Sequence, residues 1–104
     1  MEFSNRDWKL FREKLPGWQE AYIDRLNQEY IGILTGNGNP SDKFWELQKR
    51  IRRDKQGRGV ILQLSKNNMV FDIAAMINDG VITFSEVEEF SDELKETVHY
   101  LCNK

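Results

Sequence analysis

The sequence predicts an all-α fold, a compact bundle of five to six short helices, and three observations carry that expectation. Apolar residues recur at three- and four-residue spacing along most of the 104 positions. Helix-capping residues, Gly, Pro and Asn stand between the periodic stretches, and the connections they leave are short. Three Trp, six Phe and three Tyr supply enough large side chains for one hydrophobic core, so residues 1–104 are read as a single domain.

The first helix is announced by Ser4 with Asp7 three residues on, a capping-box pattern, followed by Trp8, Phe11 and Leu15. Pro16-Gly17 is read as its end. Pro16 then suits the first turn of a second helix along which Trp18, Tyr22, Leu26, Tyr30 and Ile33 trace a wide apolar stripe up to Gly36. The run Gly36-Asn37-Gly38-Asn39-Pro40 is a turn, and Ser41 is placed to cap a third helix carrying Phe44, Leu47 and Ile51 on one face. Gly57 and Gly59 close it. Residues 60–64 are rich in β-branched and apolar types and suit either a short strand, pairing with residues 81–83, or an extended connector.

Ser65 reads as the cap of a helix containing Met69, Val70, Ile73, Ala74 and Ile77, with Asp79-Gly80 as its stop. Thr83 with Glu86 forms a second capping-box pattern. Ser91 is the expected cap of a last helix bearing Leu94, Val98 and Leu101.

Charge is unevenly distributed. Residues 43–66 hold eight Lys or Arg against two acids, a net +6, while residues 67–104 hold eight acids against two Lys, a net −6, and residues 1–42 add −2 to give the overall −2. A balance this close to neutral argues against a uniformly basic nucleic-acid binder. The lone cysteine, Cys102, forms no internal disulfide and builds no thiolate metal site. The N-terminal stretch MEFSNRDWKLFREKLPGW lacks the apolar run of a signal peptide, and no segment approaches the roughly 20 apolar residues of a membrane helix. The expectation is a soluble cytoplasmic protein with no membrane partner.

Four groups of residues invite a chemical reading. Asp79 to Glu86 matches the second half of a calcium-binding EF-hand loop, but that register puts Ala75 and Ile77 at the first and third ligand positions, where neither offers an oxygen. A helix stop followed by a cap accounts for the same residues, and no metal or cofactor site is assigned. A helix-turn-helix around residues 73–93 fails on charge, because its reading helix would carry five acids and no base into a phosphate-lined groove. His99 and Cys102 share a helix face, yet they have no orienting third group, and no catalytic residue is assigned.

The fourth group is the basic third helix, residues 43–58. Stepping about 100° per residue puts Trp45, Lys49 and Arg52 on one stripe, where an aromatic could stack while cations hold a partner's charges. Together with Arg50, Arg53 and Arg58 these residues form the candidate interaction surface. Cations at a helix C-terminus also suit the helix dipole, so a merely solvated face is the competing reading.

The stretches SNRDWKLFREKLPGWQEAY, KFWELQKRIRRD and INDGVITFSEVEEFSDELKE resemble a family of small bacterial proteins without assigned activity, some of which carry a multidrug-transporter label. The resemblance implies a bacterial protein and supplies no site, and the transporter label conflicts with the lack of a spanning segment. From its own residues the chain is read as a noncatalytic protein-interaction or regulatory accessory factor, not an enzyme. It would use the basic helix and the acidic helices of residues 84–102, with a protein partner, itself as a homodimer included. Weak nucleic-acid binding through the basic helix is the alternative.

Overall fold

The computed structural model describes residues 3–103. Four α-helices follow in order: α1 (Asn5–Thr35), α2 (Pro40–Asp54), α3 (Met69–Asn78) and α4 (Asp92–Cys102). Single 3₁₀ turns, Lys66–Asn68 and Phe84–Val87, precede α3 and α4. The all-helical class holds, with fewer and longer helices than the sequence suggested and no strand among the described residues.

The largest departure is at Pro16, where two short helices were expected and one helix of 31 residues runs through. A proline inside a helix removes the N–H that would bond the carbonyl four residues back and costs about 3 kcal/mol. Against this, Phe11, Leu15, Trp18 and Leu26 keep one apolar phase across the proline, and all four are buried. Each fully buried side chain of this size contributes about 1.5–3 kcal/mol, so continuity is the favoured outcome. Pro16 and Gly17 both face solvent, where neither interferes with packing.

The core lies at one end of the molecule. Phe11, Leu15 and Trp18 of α1 pack against Met69, Val70, Ile73 and Met76 of α3, and against Leu94 and Val98 of α4. Val81, Ile82, Val87 and Phe90 from the α3–α4 connection close the same cluster. Trp18 bridges Phe11 and Phe90, with ring centroids 6.2 and 6.3 Å away.

Helix ends account for several sequence signals. The Ser4 hydroxyl accepts from the Asp7 N–H at 3.1 Å, as the capping pattern predicts. Ser91 likewise caps α4, its hydroxyl accepting from the Leu94 N–H at 3.2 Å. The two caps are joined, because the wholly buried Asp7 carboxylate accepts from the Ser91 N–H at 2.8 Å and from its hydroxyl at 2.5 Å. One carboxylate therefore lies against the N-terminal ends of two helices, where both dipoles favour negative charge.

Other expected caps are not realised. Asn39 precedes α2 and Pro40 opens it, since a fixed φ and a missing N–H suit the first helical position and put Ser41 inside the helix. Ser65 and Thr83 precede 3₁₀ turns and make no side-chain capping bond. The Thr83 hydroxyl instead pairs with that of Ser85 at 2.7 Å.

Asp79-Gly80 does stop α3. Gly80 takes φ +77°, the Val81 N–H donates to Met76 O at 2.8 Å and the Gly80 N–H to Ile77 O at 3.1 Å, which is a Schellman closure. This closure also explains why residues 60–64 do not pair with residues 81–83 as a two-stranded ladder. The Val81 N–H is spent on the helix end, and its carbonyl accepts from the Arg25 guanidinium at 2.8 Å. Residues 60–64 run as an extended connector with Ile61 and Leu64 exposed.

Gly59, where this connector crosses α1, has no room for a side chain: a Cβ there would sit 2.3 Å from the Tyr22 ring and 2.8 Å from Val81. Gly59→Ala is therefore expected to cost about 1–3 kcal/mol of stability. Pro16→Ala should have the opposite sign, a gain of about 1–3 kcal/mol, because it restores a helix hydrogen bond at an exposed position. Urea unfolding followed by circular dichroism measures both, and a loss of stability in Pro16→Ala would show that the proline shapes α1 in a way the core needs.

Candidate interaction surface on the α1–α2 hairpin

Beyond Tyr22, α1 leaves the main core cluster and pairs with α2 in an antiparallel hairpin closed by the turn at residues 36–39. No residue from position 27 to position 58 is buried. The hairpin gives the molecule its length, with extents of 52 × 24 × 19 Å and a radius of gyration of 16.3 Å. A compact chain of this size would have about 13 Å.

A polar cluster holds the two helices together. The Arg50 guanidinium donates to Glu29 at 2.7 Å, lies 3.7 Å from Asp54, and sits over the Tyr30 ring at 5.8 Å. The Tyr30 hydroxyl donates to Asp54 at 2.6 Å, and Arg53 reaches the other oxygen of the same carboxylate at 3.0 Å. Burial and the bond to Asp54 push Tyr30 up to about 12. Burial alone would raise Asp54, but the Tyr30 hydroxyl and the Arg53 and Arg50 guanidiniums outweigh it and hold the carboxyl below its usual range.

The six candidate residues divide accordingly. Arg50 and Arg53 belong to this cluster, and Arg58, in the turn beyond α2, donates to the buried Asp72 of α3 at 2.9 Å. Trp45, Lys49 and Arg52 do share one outward stripe, lining a shallow cleft with Asp42, Glu46 and Gln48. Trp45 is 61% exposed. Among the described residues, Lys43, Lys49, Arg52 and Lys55 make neither an ion pair nor a side-chain hydrogen bond, and all four lie on α2 or at its C-cap.

The sequence reading missed the apolar part of this surface. Five of the nine exposed large hydrophobic residues among those described sit on the hairpin: Ile31, Leu34, Phe44, Trp45 and Ile51. Phe44, Leu47 and Ile51 do share one face of α2, as their spacing predicts, but that face leaves Phe44 and Ile51 exposed and Leu47 half-buried. α2 packs on α1, and an ion pair from Arg58 to Asp72 joins the basic segment to α3.

Elsewhere, reactive side chains have structural partners. The His99 ring stacks on Phe84 at 4.1 Å, and the Cys102 thiol, its pKa pushed up by burial, points to Ala74 O at 3.6 Å. No group of three or more His, Cys, Asp or Glu side chains among the described residues is arranged to hold a metal ion. No described helix is long and apolar enough to cross a membrane. Comparison with known protein families, curated proteins and solved structures finds no match, so the reading of this surface rests on its own residues.

The polar cluster has a pH signature. Because the folded Tyr30 value, about 12, lies above the ordinary 10.0, its contribution to stability is complete below about pH 10 and is lost as the pH climbs toward about 12. Absorbance titration should show a tyrosine ionisation step toward about pH 12, and Tyr30→Phe should abolish it. The absence of such a late step in the folded protein would contradict the Tyr30 to Asp54 bond.

Proposed function

We propose that the chain is a noncatalytic interaction protein, a regulatory or accessory factor working in the cytoplasm, whose docking surface is the α1–α2 hairpin. One observation carries this reading: α2 buries none of its residues, and it combines exposed Phe44, Trp45 and Ile51 with four cations that have no ion-pair or side-chain hydrogen-bond partner among the described residues. Monomeric domains seldom leave a contiguous apolar patch bordered by unpaired charge unless something covers it. Charged edges of this kind steer and orient a partner, while the apolar centre supplies most of the affinity.

The occupied roles of His99 and Cys102 fit a protein without a nucleophile and base of its own. The acidic surface around α4 remains a second contact region in this reading, with Glu86, Glu93 and Glu96 making no ion pair among the described residues. Weak nucleic-acid binding is the alternative, supported by Trp45 between Lys49 and Arg52. Asp42 and Glu46 in the same cleft weigh against it, since they would repel phosphates.

Phe44→Asp combined with Arg52→Glu tests the reading, because both side chains are exposed and the fold should tolerate the change. Partners co-purified with the wild-type chain from its native cells should be lost at least tenfold, with an unchanged circular dichroism spectrum. Retention of every partner by the folded variant would refute the hairpin as the docking surface. For the alternative, oligonucleotide binding at low salt should lose about one unit of salt slope on Lys49→Ala.

A further inference from the structure

We propose that the partner of the hairpin is a second copy of the same chain, two hairpins closing face to face into a four-helix bundle. This rests on the preceding reading of the hairpin as a docking surface and specifies its occupant. The open flank is built from two rows at four-three-four spacing, Ile23, Asn27, Tyr30 and Leu34 on α1 and Phe44, Gln48, Ile51 and Lys55 on α2. A cleft of about 350 Å³ lies along the α2 row, and one of about 240 Å³ lies between the helices at Ile23, Asn27 and Tyr30. Both clefts include Ile51 and Lys55, so the flank is continuous across the two helices.

Its size suits a weak dimer. A pair of helices about 22 Å long and about 20 Å across presents a projected face of about 440 Å², about half of the roughly 800 Å² per partner that stable interfaces bury. A lone two-helix hairpin cannot bury such a face, whereas two hairpins bury both in a bundle.

The charge pattern selects a second copy over a simply acidic partner. On α1 the row next to the flank carries Glu20 and Asp24, and neither makes an ion pair among the described residues. On α2 the corresponding border carries Lys49 and Arg52, with Lys55 ending the apolar row. The antiparallel register puts Lys55 level with Asp24, since Lys55 shares a cleft with Ile23 and Asn27, and puts Glu20 beside the level of Arg58, whose carbonyl accepts from Gln19; Lys49 and Arg52 lie further along, toward Glu29, which Arg50 reaches. A two-fold axis parallel to the helices lays α1 of one copy antiparallel to α2 of the other, so the Asp24 end of each acidic border meets the Lys55 end of the partner's basic one. An acidic peptide, a nucleic acid or an anionic lipid would satisfy the cations but would meet Glu20 and Asp24 as like charges. A second copy satisfies both borders, and the interface is isologous.

Sedimentation equilibrium of the full chain from about 1 μM to about 1 mM tests this directly. The mass should rise from monomer to dimer, and Phe44→Asp with Ile51→Asp should hold the chain monomeric without altering its circular dichroism or thermal midpoint. Glu20→Lys with Asp24→Lys should weaken the dimer at least tenfold, as should Arg52→Glu with Lys55→Glu. An equimolar mixture of the two charge variants should regain the dimer, because each then meets its complement. A chain monomeric throughout the range, or a dimer indifferent to all these changes, overturns the proposal. If the chain is monomeric while Phe44→Asp with Arg52→Glu still loses a co-purified partner, self-association alone fails. If neither association exists, the docking surface fails with it.

Discussion

Helix α1 spans about 46 Å at 1.5 Å per residue, while the short axes of the molecule measure 24 and 19 Å. A core of this width can occupy only part of such a helix: Trp18 is the last α1 residue buried in the main cluster, Tyr22 packs on its edge, and Leu26 is buried outside it. Everything distal to Tyr22 lies outside the main hydrophobic cluster, and α2, tied to that distal part, is carried outside with it. The division of the molecule into a packed end and an unpacked hairpin follows from this mismatch in length.

Polar joints fix the geometry at both ends. Asp7 and Ser91 tie the start of α1 to the start of α4, satisfying a buried carboxylate with two donors at the site where two helix dipoles favour it. Arg58 and Asp72 fasten the connector to α3, and Gly59 lets that connector lie against Tyr22. In the hairpin the joint is the Arg50, Glu29, Tyr30 and Asp54 cluster, beside which Ile33 and Leu47 are half-buried while Phe44 and Ile51 stay open. A hairpin held in this way can keep its shape and still present an apolar face, which is what a docking surface requires.

The cations among the described residues divide by position. Several act as joints, as Arg25 does in capping the carbonyls of Gly80 and Val81, while Arg12 lies over the Trp8 ring. Those on α2 that have no partner lie beside the exposed hydrophobics. Ion pairs at an exposed surface contribute little stability, about 0–1 kcal/mol each, so the unpaired set is not a defect of folding. Its position beside Phe44 and Ile51 is what links charge to recognition.

Helix identity, the caps at Ser4 and Ser91 and the stop at Gly80 were legible in the sequence, because each depends on residues a few positions apart. The unbroken apolar phase from Phe11 through Leu15 and Trp18 to Leu26 also carried the continuity of α1, but the local signal of Pro16-Gly17 points the other way, and only burial against α3 and α4 decides between them. Pairing of residues 60–64 with 81–83 was undecided for the same reason: whether Val81 is free to join a ladder depends on Met76 O and Arg25, one set by a helix end and the other distant in sequence. Periodicity shows that Phe44, Leu47 and Ile51 share a face, but it cannot show what that face meets. By itself the sequence determined the helical class, the helix ends at Ser4, Gly80 and Ser91 and the location of the basic segment, all of which arise from short-range bonding and spacing. Which arginines are consumed, which cations stay unpaired and which apolar face stays open were decided only by the tertiary structure, because each depends on how far α1 outruns the core it packs against.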